Sequence, residues 1–180
     1  MVQDLADLSA AEAAALSLRF AGADLAELAR TALDAQRPAL DAAGLRVHAD
    51  LGTPVPVRAD PDRLHQAITN LLTNAARYCR RGDHLQVDAS AVGGQAVLRI
   101  ADTGPGIPAD EIAHAFDRFW RGRDARHVTG TGIGLAVVHE LVAAHGGSVD
   151  IDSPAAGGLT VTVRLPLRRF ATVSPGKRSR

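Results

Sequence analysis

The stretch Asn70-Leu71-Leu72-Thr73-Asn74-Ala75-Ala76-Arg77-Tyr78 decides the fold, because two kinds of residue recur in it at the period of a helix. Leu71, Leu72 and Ala75 continue an apolar stripe begun by Leu64 and Ile68, while Gln66, Asn70 and Asn74 repeat every four residues and Arg77 follows three later. One face is therefore aliphatic and the other carries amides and a guanidinium. Pro61 suits a first helical turn, so the helix is expected from Pro61 to about Arg80. A row of amides can hold a polar ligand. It can equally be the solvated side of an ordinary amphipathic helix, and the row alone does not choose.

Downstream, Leu85 to Ala89 and Ala96 to Ala101 read as two strands joined at Gly93-Gly94 in a hairpin. Asp102-Thr103-Gly104-Pro105-Gly106-Ile107-Pro108 follows directly. A carboxylate at a strand end can accept from an amine, glycines let backbone approach a ligand, and prolines stiffen the path; an ordinary Asp-Gly turn would look the same. After a short helix expected over Ala109 to Ala115, Gly130-Thr131-Gly132-Ile133-Gly134-Leu135 opens a helix that should run to His145. Free N–H groups and the positive end of the helix dipole favour phosphate there. A dinucleotide-binding fingerprint is disfavoured, since it must follow a strand and Arg121 to Thr129 is charged and irregular. Arg118, Arg121, Arg123 and Arg126 can balance phosphates, or can belong to a solvated loop. Strands at Val149 to Asp152 and Leu159 to Leu165 complete the pattern.

Upstream, Gln3 to Leu18 has helical spacing, and a second helix should start at Asp24, with Glu27 as its capping-box partner and Leu25, Leu28, Ala32 and Leu33 as its stripe. Pro38 should bend or end it and Gly44 close it. Leu45 to Leu51 alternates as a strand before the Pro-punctuated stretch Thr53 to Val57.

The chain has 180 residues, 46% of them hydrophobic, enough for one domain with its own core. Twenty basic against twenty acidic residues leave no global field to favour nucleic acid or an acidic membrane surface, so any anion site is local. No apolar run reaches the roughly 20 residues that span a bilayer. The single Cys79 has no disulfide or metal-ligating companion, which suits a reducing compartment, and a cytoplasmic location is expected. The seven histidines lack metal-ligand spacing; structural or surface roles are expected for them.

The helix segment, the Asp102 loop and the glycine triplet, in this order and spacing, together resemble the N, G1 and G2 boxes of the GHKL superfamily, which shares the ATP-binding fold of gyrase, Hsp90, MutL and histidine kinases. The resemblance covers roughly Asp24 to Pro166. It points to sensor histidine kinases at Asn70 to Tyr78, at Phe116-Asp117-Arg118-Phe119 and at Gly130 to Leu135. It implies an α+β two-layer sandwich, a mixed sheet with helices on one face (the Bergerat fold), over 21–167. Residues 1–20 would be the end of a dimerisation-hairpin helix or linker, and 168–180 a basic tail. It also implies ATP and Mg2+ as ligands. Asn74 would be the principal magnesium ligand with Asn70 beside it, and Arg77 and Tyr78 would neighbour the nucleotide. Asp102 would take the adenine amino group, with Gly104, Gly106 and Ile107 close to the base and Thr160 near it. Arg118, Thr131, Gly132, Ile133, Gly134 and Leu135 would surround the phosphates, under a lid running from Phe116 to Gly130.

The implied reaction moves the γ-phosphoryl of ATP to a His, with Asn70, Asn74 and Arg77 as the catalytic set. No His here is followed by the acidic, Arg, Thr and Pro residues of the family's phosphoacceptor box; His139-Glu140 imitates only its start. The acceptor is expected on a dimerisation domain, upstream in a longer protein or on another polypeptide, with a response regulator as indirect partner. Arg77 stands where the family often has Lys. ATP-hydrolysing relatives carry a water-activating Glu where this chain has Asn70, which argues for transfer over hydrolysis. An anti-sigma-type serine kinase and an ATP-responsive module without transfer are the competing readings.

Overall fold

Two aspartates start the two long helices. Asp24 caps α1 (Leu25–Ala43) by accepting from Ala26 N at 2.9 Å, and the same oxygen takes Val55 N–H at 2.9 Å, tying the helix start to a distant segment. Asp60 caps α2 (Pro61–Tyr78), accepting from the N–H groups of Asp62 and Arg63. A computed structural model describes residues 17–123 and 130–167. The helix expected at Gln3 to Leu18 and the tail from Arg168 fall, but for Ser17 and Leu18, outside them, as do Arg126 and His127 of the lid.

Glu27 does not complete the capping box at α1; it pairs with Arg30 one turn on. Nor does Pro38 end that helix, which runs five residues further before Gly44 closes it at φ 76°. Pro38 and Asp34 are both exposed, so water can serve the carbonyl that Pro38 leaves without a donor, while Leu40 beyond it is fully buried and holds the last turn down. α3 (Gly134–Ala144) follows the glycine triplet as expected. Over Ala109 to Ala115 the structure forms one short 3-10 turn, Ile112–His114, in place of a helix.

Among the described residues, seven strands form two sheets. The main sheet has the order β2-β4-β5-β7-β6, built from β2 (Arg46–Asp50), β4 (His84–Val92), β5 (Gln95–Asp102), β6 (Ser148–Asp152) and β7 (Leu159–Pro166). β4 and β5 are the expected hairpin across Gly93-Gly94; β2 and β4 run parallel, and the other pairs of this sheet among the described residues are antiparallel. β1 (Ala21–Asp24) and β3 (Pro56–Ala59) make a separate antiparallel ribbon. All three helices lie on one face of the main sheet, α1 over β4 and β5, α2 over β5, and α3 over β6 and β7. This is the mixed-sheet, two-layer α+β sandwich.

The core is the interface of these layers. Alternate residues of the strands, Leu85 and Val87, Leu98 and Ile100, Val161 and Val163, face Leu64, Ile68, Leu71 and Leu72 of α2 and Val138, Leu141 and Val142 of α3. At about 1.5–3 kcal/mol for each large aliphatic side chain buried, this interface fixes α2 in rotation and turns its amide row away from the sheet.

Candidate functional site

The C-terminal half of α2 is where the three sequence segments meet. Gly134, the first residue of α3, lies against Asn74: a Cβ there would stand 3.4 Å from the Asn74 Oδ1. One turn of α2 further on, a Cβ at Gly130 would stand 3.0 Å from an Arg77 guanidinium nitrogen. The glycine segment therefore runs along the amide face of α2 at van der Waals range. α3 starts with no side-chain cap, so its first N–H groups point at the same place without an internal acceptor. Ile133 is buried and Leu135 packs against the core, and both anchor the turn that presents Thr131, Gly132 and Gly134. Gly132 adopts φ 73°, and a Cβ on it would stand 2.8 Å from the Phe119 carbonyl carbon, so that only glycine allows this approach.

At the other end of the site Asp102 closes β5. Its Oδ1 accepts from Gly104 N at 2.9 Å. Burial pushes its carboxyl above the usual range, against the opposing pull of the Gly104 N–H, the Cys79 thiol and the Leu159 N–H. Cys79 follows Tyr78 directly as the C-cap of α2, so this contact brings the end of α2 to Asp102. Burial, then the Asp102 charge, push the Cys79 thiol up to about 12, which keeps it protonated as a donor. Nothing in the local sequence pattern around Cys79 reveals this partner, which lies 23 positions away. Thr160 pairs with Ala101 across β5 and β7, one residue along from the Asp102–Leu159 pair, so the strand alternation sends its side chain to the face opposite the carboxylate, contrary to the expected place near the base. Gly104 is buried against Cys79 and Asp102. Ile107 is held by its own N–H, which donates to Ser153 Oγ at 2.7 Å.

Asn70 and Tyr78 lie half-buried on α2, one turn before and one turn after Asn74. Gln66 is engaged within its helix by Arg63. Arg118 pairs with Glu140 of α3, and Phe116 packs on His139 with ring centroids 5.0 Å apart. These contacts hold the start of the expected lid on α3. Arg123 is turned to Glu111 and Asp110, whose carboxylates raise its pKa. Phe119 stands 56% exposed at φ 64°, a conformation that costs a non-glycine residue about 1–2 kcal/mol. His145 is a satisfied structural histidine, accepting from Asp60 N at 3.0 Å and bonded through Nδ1 to Leu141 O.

The groups that meet here are of the kinds that bind an anion and a divalent cation: uncapped N–H donors at the start of α3, the Asn74 carboxamide and the Arg77 guanidinium. Asp102 is an acceptor of the kind that an amine-bearing ring needs.

Residues 59–169 match the family described as histidine kinase-, DNA gyrase B- and HSP90-like ATPase. The signal transduction histidine-protein kinase BaeS of Escherichia coli K12 is 36% identical over 171 residues, covering 94% of this chain and 37% of BaeS. Among solved structures, the mycobacterial sensor histidine kinase MprB superposes with a TM-score of 0.74 at 33% identity, over 83% of this chain and 100% of that one. Full-length ShkA, solved in complex with AMPPNP, superposes with a TM-score of 0.80 at 29% identity, over 94% of this chain and 35% of ShkA. The chain thus spans 37% or less of the length of curated relatives such as BaeS and the Synechococcus kinase CikA.

Proposed function

Because the chain belongs to the histidine kinase-, gyrase B- and HSP90-like ATPase family, we propose that it is the ATP-binding catalytic domain of a sensor histidine kinase, passing the γ-phosphoryl of ATP to a His on a dimerisation domain. The contact of Gly134 with Asn74, at the uncapped start of α3, is the observation that carries this reading. N–H donors and an amide oxygen brought this close are groups of the kinds that a metal-bound polyphosphate requires, which supports the reading.

Asp102 accepts from the adenine amino group, and its low-dielectric setting makes that hydrogen bond discriminating. Gly104, Gly106 and Ile107 frame the base. Asn74, with Asn70, offers carboxamide oxygens to Mg2+, a hard cation that prefers oxygen; when bound, the ion neutralises charge on the β- and γ-phosphates. Thr131, Gly132 and Gly134 line the phosphates, and Arg77 compensates their charge from α2. Arg118, paired with Glu140 of α3, is a further cation for the same phosphates.

In the transfer, the bond between the γ-phosphorus and the bridging oxygen breaks, that oxygen leaves with ADP, and a phosphorus–nitrogen bond forms to the imidazole. Positioning and charge compensation supply most of the catalysis in such a step, so this domain needs no base of its own. Asn70 supports transfer over hydrolysis, because an amide cannot deprotonate water. The partners are a His-bearing domain and, through it, a response regulator. The domain works in the cytoplasm, where ATP is supplied and a free thiol such as Cys79 persists; none of the described helices is long and apolar enough to cross a membrane.

Calorimetric titration of ATP with and without Mg2+ tests the assignment. Asn74→Ala should weaken magnesium-dependent ATP binding about tenfold or more while leaving the fold intact. Undiminished magnesium-dependent binding would remove Asn74 from the metal.

A further inference from the structure

We propose that Ser153 is a positioning residue for the adenine end of the site, its hydroxyl holding the Asp102–Ile107 loop in the shape that receives the base; this rests on the nucleotide reading above. Ser153 follows β6, the edge strand of the sheet, and lies 46 residues from Ile107. It touches no nucleotide-binding side chain assigned above. Its Oγ accepts the Ile107 N–H at 2.7 Å and donates its own proton to Gly158 O at 2.9 Å. Gly158 N–H in turn donates to Gly104 O at 2.7 Å, and Gly104 N–H to the Asp102 carboxylate.

The β6–β7 loop thereby holds both ends of the glycine loop, the Ile107 end through the Ser153 hydroxyl and the Gly104 end through the Gly158 N–H, whose carbonyl the same hydroxyl bonds. The arrangement uses the property that separates a hydroxyl from other small groups, one proton to give and a lone pair to receive. Gly106 is pressed against the same point: it adopts φ 72°, and a Cβ on it would lie 2.5 Å from Ser153 Oγ and 2.7 Å from Gly158 O. The loop backbone therefore rests on this hydroxyl. Without it, Ile107 N–H and Gly158 O lose their partners together, and the loop spends less of its time in the receptive shape. The apparent dissociation constant then rises in proportion to the fraction lost.

The test compares Ser153→Ala with the unchanged chain, using Ser148→Ala, an exposed serine at the start of β6, as control. Three quantities are read: exchange of the Ile107 amide, dissociation constants for ATP and ADP, and melting temperature. In Ser153→Ala the Ile107 amide should exchange faster, and ATP and ADP should weaken by the same factor of about ten, because the fault lies at the base and not at the γ-phosphate. The melting temperature should hold within a few degrees. Unchanged Ile107 exchange or unchanged affinities overturn the proposal. Faster exchange throughout β6 and β7 with a large drop in melting temperature also overturns it, in favour of a general structural role. Failure of the unchanged chain to bind either nucleotide would refute the functional reading instead, and the Ile107 amide, measured without ligand, would still decide whether Ser153 holds the loop.

Discussion

Replacing Asp102 by Asn should move stability and ligand affinity in opposite directions. The folded protein raises the Asp102 pKa, chiefly by burial. It therefore holds a proton on this group more tightly than the unfolded chain does. Stability linked to the group is fully present below the unfolded carboxylate value, about pH 4, and falls as pH rises through the window up to the raised folded value. Near neutral pH the ionised carboxylate thus opposes folding, and an uncharged amide of nearly the same shape relieves that cost. Asp102→Asn should melt no lower than the unchanged protein near neutral pH, with any advantage vanishing in acid. Binding should change the other way. A hydrogen bond from the adenine amine to a charged acceptor contributes about 1.5–3 kcal/mol, so ATP affinity should fall about ten- to hundredfold. Calorimetric melting and ATP titration on the same preparations give both numbers. A variant that melts several degrees lower, or one that binds ATP as tightly as before, would refute the reasoning.

Gly132→Ala forces a side chain into φ 73° and against the Phe119–Trp120 backbone; the strain alone costs about 1–2 kcal/mol. ATP titration should show a loss of about tenfold or more, with little change in the melting of the distant core. Asp60→Ala removes the cap of α2 and the acceptor for Arg19 N–H. Burial raises the Asp60 carboxyl, but the N–H groups of Arg19, Arg63 and Asp62 outweigh it and leave the pKa lowered. Its stabilising contribution is therefore present above the unfolded value and lost as pH falls through the folded one. The variant should melt about 2–8 °C lower near neutral pH, for a cap worth about 1–2 kcal/mol, and the gap should close in strong acid.

Much of the fold was legible because local signals and tertiary packing agree. The α2 stripe, the Gly93-Gly94 hairpin and the Gly44 cap each rest on a period or a backbone conformation that few residues allow. The ribbon of β1 and β3 was not legible: Ala21-Gly22-Ala23-Asp24 has poor strand propensity and Pro56 opens its partner, so the pairing comes from tertiary context. Pro38 misled because a rule about lost hydrogen bonds does not say whether water can replace them. Ala109 to Ala115 has helix-forming composition, but only three of its residues form the short turn.

At the site, the amide row and glycines announced themselves by type and spacing. Cys79 and Ser153 did not. Each acts by touching a residue far away in sequence, and neither carries a motif, since a lone thiol or hydroxyl looks the same wherever it points. Arg118 shows the converse: its charge was legible, but its present partner, Glu140, depends on how the start of the lid lies on α3.

The most direct test of the account is to incubate the chain with γ-labelled ATP, magnesium and the His-bearing helical hairpin of a related sensor kinase, and to ask what chemistry the label has entered. The account predicts label on the hairpin in a form labile to acid and stable to base, as a phosphorus–nitrogen bond is, and its loss with Asn74→Ala. Tight ATP binding accompanied by release of inorganic phosphate, with no label on any histidine, would contradict it.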